Sequence, residues 1–172
     1  MDIRVLVAYA TKYGATAGIA EKIGMVLREA GLQAFALPVE KASDLTPYKA
    51  VVLGSAVYAG QWRKEAAMFL ETNQKLLAER QVWLFSSGPT GEGDPVQLMN
   101  GFRFPEALQP IADRIKPKDI AFFHGAMDMK KLNFAERLVV KGLKTPVGDS
   151  RDWNAISAWA MTIAETLKKE AS

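Results

Sequence analysis

Apolar residues recur along this chain with two different periods. Runs of strand length, rich in β-branched and aromatic residues, occupy Ile3–Tyr9, Leu32–Leu37, Ala50–Ser55, Gln81–Ser86 and Asp119–His124, and each leads into loop residues or a helical repeat. Between the first two runs, Ile19, Ile23, Val26 and Ala30 fall at helical spacing, and Gly31 follows as a helix-ending glycine. The same reading predicts helices around Arg63–Ala78, Pro105–Ile115 and Asp152–Lys168. The last opens on Asp152 as N-cap and closes with Lys168 and Lys169 at the negative end of its dipole. Near-continuous apolar strands alternating with helices predict an α/β fold, a parallel sheet with helices on both faces. No repeat or linker divides the chain, so one domain is expected over 1–172, with two long interruptions, Ser86–Pro95 and an insertion at about 126–150 after the fifth strand.

Composition narrows the chemistry. The chain has no cysteine, which removes disulfides, thiolate nucleophiles and Cys-ligated clusters, so redox chemistry has to come from a bound cofactor. The single histidine, His124, leaves no Ser–His–acid set, and no metal-ligand spacing occurs. Hydrolysis is therefore not expected, nor a metal site, nor an essential catalytic side chain. Met1 and Asp2 run straight into Ile3–Ala8, which reads as a first core strand rather than an export signal, and a cytoplasmic location is the expectation. No apolar run approaches the roughly 20 residues that span a bilayer. A formal charge of +3 and a pI near 9.1 suit an anionic ligand or an acidic lipid surface but are too small and dispersed for nucleic acid.

The most informative segment lies between the first strand and first helix. After Tyr9, the residues Ala10-Thr11-Lys12-Tyr13-Gly14-Ala15-Thr16 place hydroxyls, a small residue and backbone amides at a helix N-terminus. That is what a phosphate monoester needs: converging N–H donors, the positive end of the macrodipole, and hydroxyls to complete the shell. Lys12 adds a charge. Neither the three-glycine dinucleotide spacing nor the GKS/T loop is present, which favours a smaller phosphate ligand. The candidates are Thr11, Lys12, Tyr13, Gly14, Ala15 and Thr16.

The segment Val7 to Ile23 resembles the flavodoxin signature, with Tyr9, Thr11, Gly14, Thr16 and Ala20 in its places and Ala8 where the family has a larger residue. The resemblance implies a flavodoxin-like three-layer sandwich, a five-stranded parallel sheet in the order 2-1-3-4-5, and FMN at the carboxyl ends of the strands. Two further loops would then meet the flavin ring. After the third strand come Ser55, Ala56, Val57, Tyr58, Ala59, Gly60 and Trp62, where Tyr58 or Trp62 is the stacking candidate. After the fourth come Ser86, Ser87, Gly88, Pro89, Thr90 and Gly91, a loop of hydroxyls and open amides with no aromatic.

Within that superfamily, Gly148-Asp149-Ser150-Arg151-Asp152-Trp153, together with Gly54-Ser55-Ala56-Val57, Gly60, Trp62 and Gly125-Ala126, resembles the menaquinone-dependent protoporphyrinogen oxidases. The resemblance implies oxidation of a porphyrinogen, in porphyrin biosynthesis, with electrons passed through FMN to a quinone. The insertion carries an apolar stripe with Lys130, Lys131, Arg137, Lys141 and Lys144 around it, so residues 130–144 are a candidate peripheral contact with the inner face of the membrane. Two alternatives stand beside this reading: a soluble flavodoxin-type electron carrier, and a flavodoxin-fold binding module without FMN. Expected partners are a porphyrinogen or quinone-like small molecule, no nucleic acid, and a second copy of the chain, a homo-oligomer being left open.

Overall fold

The structure, a computed structural model, describes residues 2–171; Met1 and Ser172, the ends of the expected domain, lie outside the described residues. Strand β1 (Arg4–Ala10) leads into helix α1 (Ala15–Glu29), followed by β2 (Gln33–Pro38) and β3 (Ala50–Tyr58). A short β4 (Gln61–Trp62) folds back on β3, and α2 (Lys64–Thr72) and α3 (Gln74–Leu77) lead to β5 (Gln81–Ser87). Then come α4 (Pro95–Leu98), α5 (Gln109–Ile115), β6 (Asp119–Phe123), β7 (Ala126–Met127), α6 (Phe134–Gly142), β8 (Gly148–Asp149) and α7 (Trp153–Ala171).

The parallel strands lie in the order β2-β1-β3-β5-β6, with β4 antiparallel to β3. With the two-residue β4 set aside, this is the expected 2-1-3-4-5 order. Two apolar layers enclose the sheet. On one face α1 and α7 pack over Val5, Val7, Val52 and Phe85; on the other α2, α3 and α5 cover Leu6, Leu53 and Leu84. Fully burying a side chain of this kind contributes roughly 1.5–3 kcal/mol, so the central strands hold the sheet together. Helix α1 ends as its glycine predicts: Gly31 has φ +95°, its N–H donates to Arg28 O, and the Leu32 N–H reaches back to Leu27 O, a Schellman motif.

Four expectations change at element ends. The third strand does not stop at Ser55; it runs to Tyr58 and turns through Ala59 (φ +50°) and Gly60 (φ +73°) into β4, so the expected loop is a hairpin. The helix expected over Arg63–Ala78 breaks at Asn73, whose Nδ2 donates to Phe69 O at 2.8 Å. The one expected from Pro105 begins as a 3-10 turn, Glu106–Leu108, and becomes α-helical at Gln109. The segment 126–150 is not one amphipathic element. It is an antiparallel ribbon, β7 with β8, enclosing a 3-10 turn at Met129–Lys131 and then α6.

Gly54 shows how tightly the sheet is filled. A Cβ there would run into the ring of Phe85, a fully buried side chain on the next strand. Gly54→Ala is expected to cost about 1–3 kcal/mol by overpacking, read as a lower urea midpoint at unchanged m-value, and the double variant with Phe85→Leu should recover part of the loss. An unchanged midpoint in the single variant would refute this account of the packing.

Candidate functional site

Strands β2 and β3 lie on opposite sides of β1, so the chain leaves β1 at the point where strand order reverses and a cleft opens at the carboxyl edge. The register sets Tyr9 opposite Gly54 and Ala10 opposite Ser55, and Ser55 opposite Ser86. The three candidate loops therefore converge on one edge.

In the candidate phosphate loop, Gly14 is the N-cap of α1, with φ +98°, and its N–H donates to Thr11 Oγ1 at 2.9 Å. No side chain caps the helix, and no acidic residue stands in its first turn. Its first-turn amides, which have no acceptor within the helix, remain available to an anion. Thr16 is fully buried, and its Oγ1 lies 2.8 Å from Ser87 Oγ, joining the phosphate loop to the end of β5. Lys12 and Tyr13 behave differently from expectation. Lys12 Nζ pairs with Glu136 at 2.9 Å, and the Tyr13 hydroxyl donates to the same carboxylate. The bond from Tyr13 and those from the Asn133 N–H and Lys12 hold the Glu136 carboxyl down at about 2, and the Glu136 bond pushes Lys12 up to about 12.

The ring loops are sorted by burial. Tyr58 is 42% exposed, and burial of the rest of the ring raises its phenol pKa. Ala56, Val57, Ser87 and Gly88 line the cleft beside it. Trp62 is not a stacking side chain in this structure: it is buried, edge-on to Phe104 at 5.1 Å, and its Nε1 donates to Ser86 Oγ at 2.8 Å. That bond also takes the Ser86 hydroxyl out of the site. The Ser55 hydroxyl is likewise occupied, accepting from Arg63 N–H and donating to Ala56 O. Ala59 and Gly60 form the hairpin tip, and Ala15 lines the cleft floor.

Beyond Gly88 the β5 loop is stitched to its neighbours. Gly88 N–H donates to Phe123 O and Gly125 N–H to Pro89 O, and a Cβ on Gly125 would lie 2.9 Å from Gly88 O, so only glycine permits this approach. Both ring nitrogens of His124 face carbonyls, Nδ1 that of Pro89 at 3.0 Å and Nε2 that of Gly93 at 2.5 Å, which is a loop-holding role. Thr90 Oγ1 donates to Pro146 O, and Gly91 N–H to Ser150 Oγ.

These last bonds reach residues that sequence reasoning did not place at the site. Leu132, buried, lines a cavity of about 70 Å³ with Thr11, Thr16, Tyr58 and Ser87. A second cavity, about 580 Å³, shares Tyr13, Ala15, Ala126, Met127 and Asp128 with it and extends past Met129, Lys130, Lys131, Val147 and Arg151. The two form one cleft, roofed by the insertion. Arg151 is locked there, paired twice with Asp149 and donating to Ala15 O at 3.1 Å. The Asn-x-x-Glu capping box of α6, Asn133 with Glu136, is a readable local signal; its reach to Tyr13 is not. Among the described residues no cluster of acidic or histidine side chains could hold a metal.

A doubly wound sheet whose strand-order switch carries an open helix N-terminus and two convergent loops defines an open α/β protein with its ligand cleft at the carboxyl edge of the sheet. The family profile described as Flavodoxin domain matches residues 6–154, and the chain belongs to that family. No curated protein matches it in sequence. Oxidised Flavodoxin 2 from Bacillus cereus is similar in structure, with 20% identity and TM-score 0.61, over 95% of this chain and 99% of that one. So is a mutant form of flavodoxin from Pseudomonas aeruginosa, with 15% identity and TM-score 0.59, over 96% and 99%. Rubredoxin oxygen:oxidoreductase from Desulfovibrio gigas matches with 15% identity and TM-score 0.62, over 98% of this chain; the chain spans only 37% of that protein. At these identities the structures speak for the fold. FMN is the cofactor of the family, and the open α1 amides, the small residues beside Tyr58 and the roofed cleft fit it.

The Glu136 contacts carry a pH dependence with a definite sign. The carboxyl falls from 4.5 to about 2 in the folded chain, so its contribution is present above pH 4.5 and is lost as pH falls toward 2. Lys12 rises from 10.5 to about 12, so its contribution is present below pH 10.5 and lost above it. Hydrogen exchange of α6, corrected for intrinsic rates, should show constant protection in between and loss below pH 4.5. Glu136→Gln should abolish that acid dependence; a variant that retains it would sink the assignment.

Proposed function

We propose that this chain holds FMN at the carboxyl edge of its sheet and serves electron transfer. The observation that carries the reading is the uncapped N-terminus of α1 at the strand-order switch, tied through buried Thr16 to Ser87 on the ring side. When bound, the flavin supplies the redox chemistry. The chain's part is to grip the phosphate at Thr11–Thr16, to set Tyr58 against the ring, and to keep Ser87 and Gly88 at its polar edge. The purified protein should show a flavin spectrum in the visible, and Thr16→Leu, which fills the buried hydroxyl junction, should remove it. Failure of the wild-type chain to bind flavin on reconstitution would favour the FMN-free binding module.

The roofed cleft favours a second, finer reading: oxidation of a porphyrinogen with electrons passed to a quinone. The cavity of about 580 Å³ shares Tyr13, Gly14 and Ala15 with the FMN end of the cleft, and its far wall, Met127, Met129 and Val147 edged by Lys130 and Arg151, supports a second molecule beside the flavin. Such walls suit a flat apolar molecule bearing carboxylates. Anaerobic addition of protoporphyrinogen should bleach the flavin, and a menaquinone analogue should restore it. A bound flavin inert to both leaves the electron carrier.

The outer face of the insertion supports a peripheral lipid contact, which would set the protein at the inner face of the membrane from a cytoplasmic location. No described helix is long and apolar enough to cross a membrane. Helix α6 buries no residue, and Phe134 and Leu143 are 76% and 74% exposed, with Leu138 and Val139 beside them and Lys141 and Lys144 around them. An apolar patch edged by cations suits an anionic bilayer. The protein should sediment with phosphatidylglycerol vesicles, less so at high salt, and Phe134→Glu with Leu143→Glu should release it. Equal binding to neutral vesicles, or a dimer broken by the same changes, would refute the lipid contact.

A further inference from the structure

The insertion touches the phosphate loop at three points, and one of them brings a positive charge to the place where an anion would sit. Lys131 Nζ donates to Tyr13 O at 3.0 Å and stands 3.7 Å from where a Cβ on Gly14 would lie, directly beside the N-cap of α1. Gly14 and Ala15, at the open first turn, line the same cavity as Lys131. Lys12, the cation nearest in sequence, is occupied by Glu136. Arg151 is occupied by Asp149. The Lys131 ammonium gives one of its three N–H donors to Tyr13 O and keeps two for another acceptor. Its position is fixed from both sides along the chain: Leu132 is buried, and Asp128 Oδ1 accepts from Lys130 N–H to shape the 3-10 turn that presents it.

We infer that Lys131 is the counter-charge of the FMN phosphate, carried to the phosphate loop by the insertion. The inference rests on the FMN reading above and deepens it. Recognition of the phosphorylated flavin is then shared between a loop at the start of the chain and a residue 118 positions beyond Tyr13. The division of labour among the cations is also explained. Glu136 takes up Lys12 and Tyr13 and so anchors the insertion, while Lys131 stays available to the ligand. The ammonium adds a charge-assisted bond to a dianion that neutral amides and hydroxyls alone would hold less well.

The test compares two flavins that differ only in the phosphate. The full chain, stripped of flavin, is titrated with FMN and with riboflavin while flavin fluorescence is followed. The wild type should prefer FMN; equal affinity would overturn the phosphate-loop reading itself. Lys131→Gln should weaken FMN about tenfold and leave riboflavin unchanged, while Lys131→Arg keeps most of the preference. Lys75→Gln, an equal change of net charge at an exposed position of α3, should alter neither. If Lys131→Gln weakens both flavins alike, or neither, Lys131 is not the counter-charge. Should that variant fail to fold, the wild type still decides: its preference for FMN over riboflavin should shrink as salt is raised, and a salt-independent preference would overturn the inference.

Discussion

Strand β1 is paired in parallel on both sides, with β2 and with β3, and everything functional in the molecule follows from that arrangement. Val5, Leu6, Val7 and Ala8 have no exposed surface, so each faces one of the two apolar layers and the register cannot slip by one residue without turning core side chains to the wrong layer. With the register held, the phosphate loop, the β3–β4 hairpin and the β5 loop end level with one another. The cleft is thus a consequence of packing at the centre of the sheet, several residues away from any group that would touch a ligand.

A different kind of force holds the roof. Helix α6 has no buried residue, and the segment 126–150 is attached mainly by polar bonds: Glu136 to Lys12 and Tyr13, Lys131 to Tyr13 O, Thr90 to Pro146 O and Ser150 to Gly91 N–H. Leu132 is its one buried apolar side chain, with Ala126, Met127 and Met129 half-buried beside it in sequence. Elements secured by few exposed bonds open at lower free energy than the core. The molecule therefore combines a rigid floor, set by the sheet, with a roof whose attachment depends on a handful of charged groups. Floor and roof meet at the phosphate loop.

Much of this was legible in the residue pattern, for reasons that can be stated. The five long strands are nearly continuous apolar runs because both faces are covered, and α1 shows its helical repeat because only one side of it is buried. Gly31 marked the end of α1 because a Schellman turn needs positive φ. What did not show were ends decided by partners elsewhere. The extension of β3 to Tyr58 depends on pairing with β4, and the break at Asn73 on a side-chain bond to Phe69 O. Trp62 looked suited to a flavin because it stands in a loop of small residues; Phe104 and Ser86, distant in sequence, claim both its ring and its N–H.

The class of fold was written in the sequence, the strand order in its resemblance to flavodoxins, and Thr11–Thr16 stood out as a candidate anion loop, because periodicity, glycine conformation and helix-terminal chemistry are local properties carried by neighbouring residues. The tertiary structure alone decided which hydroxyls and aromatics remain free at the cleft and which cation stands beside Gly14. Those outcomes depend on pairs such as Tyr13 with Glu136 and Trp62 with Ser86, separated by 123 and 24 positions, which meet only when the sheet and the insertion close on each other. A charge such as Lys131 carries no mark in the chain of where its ammonium will come to rest, since that is set by the burial of Leu132 beside it and the turn before it.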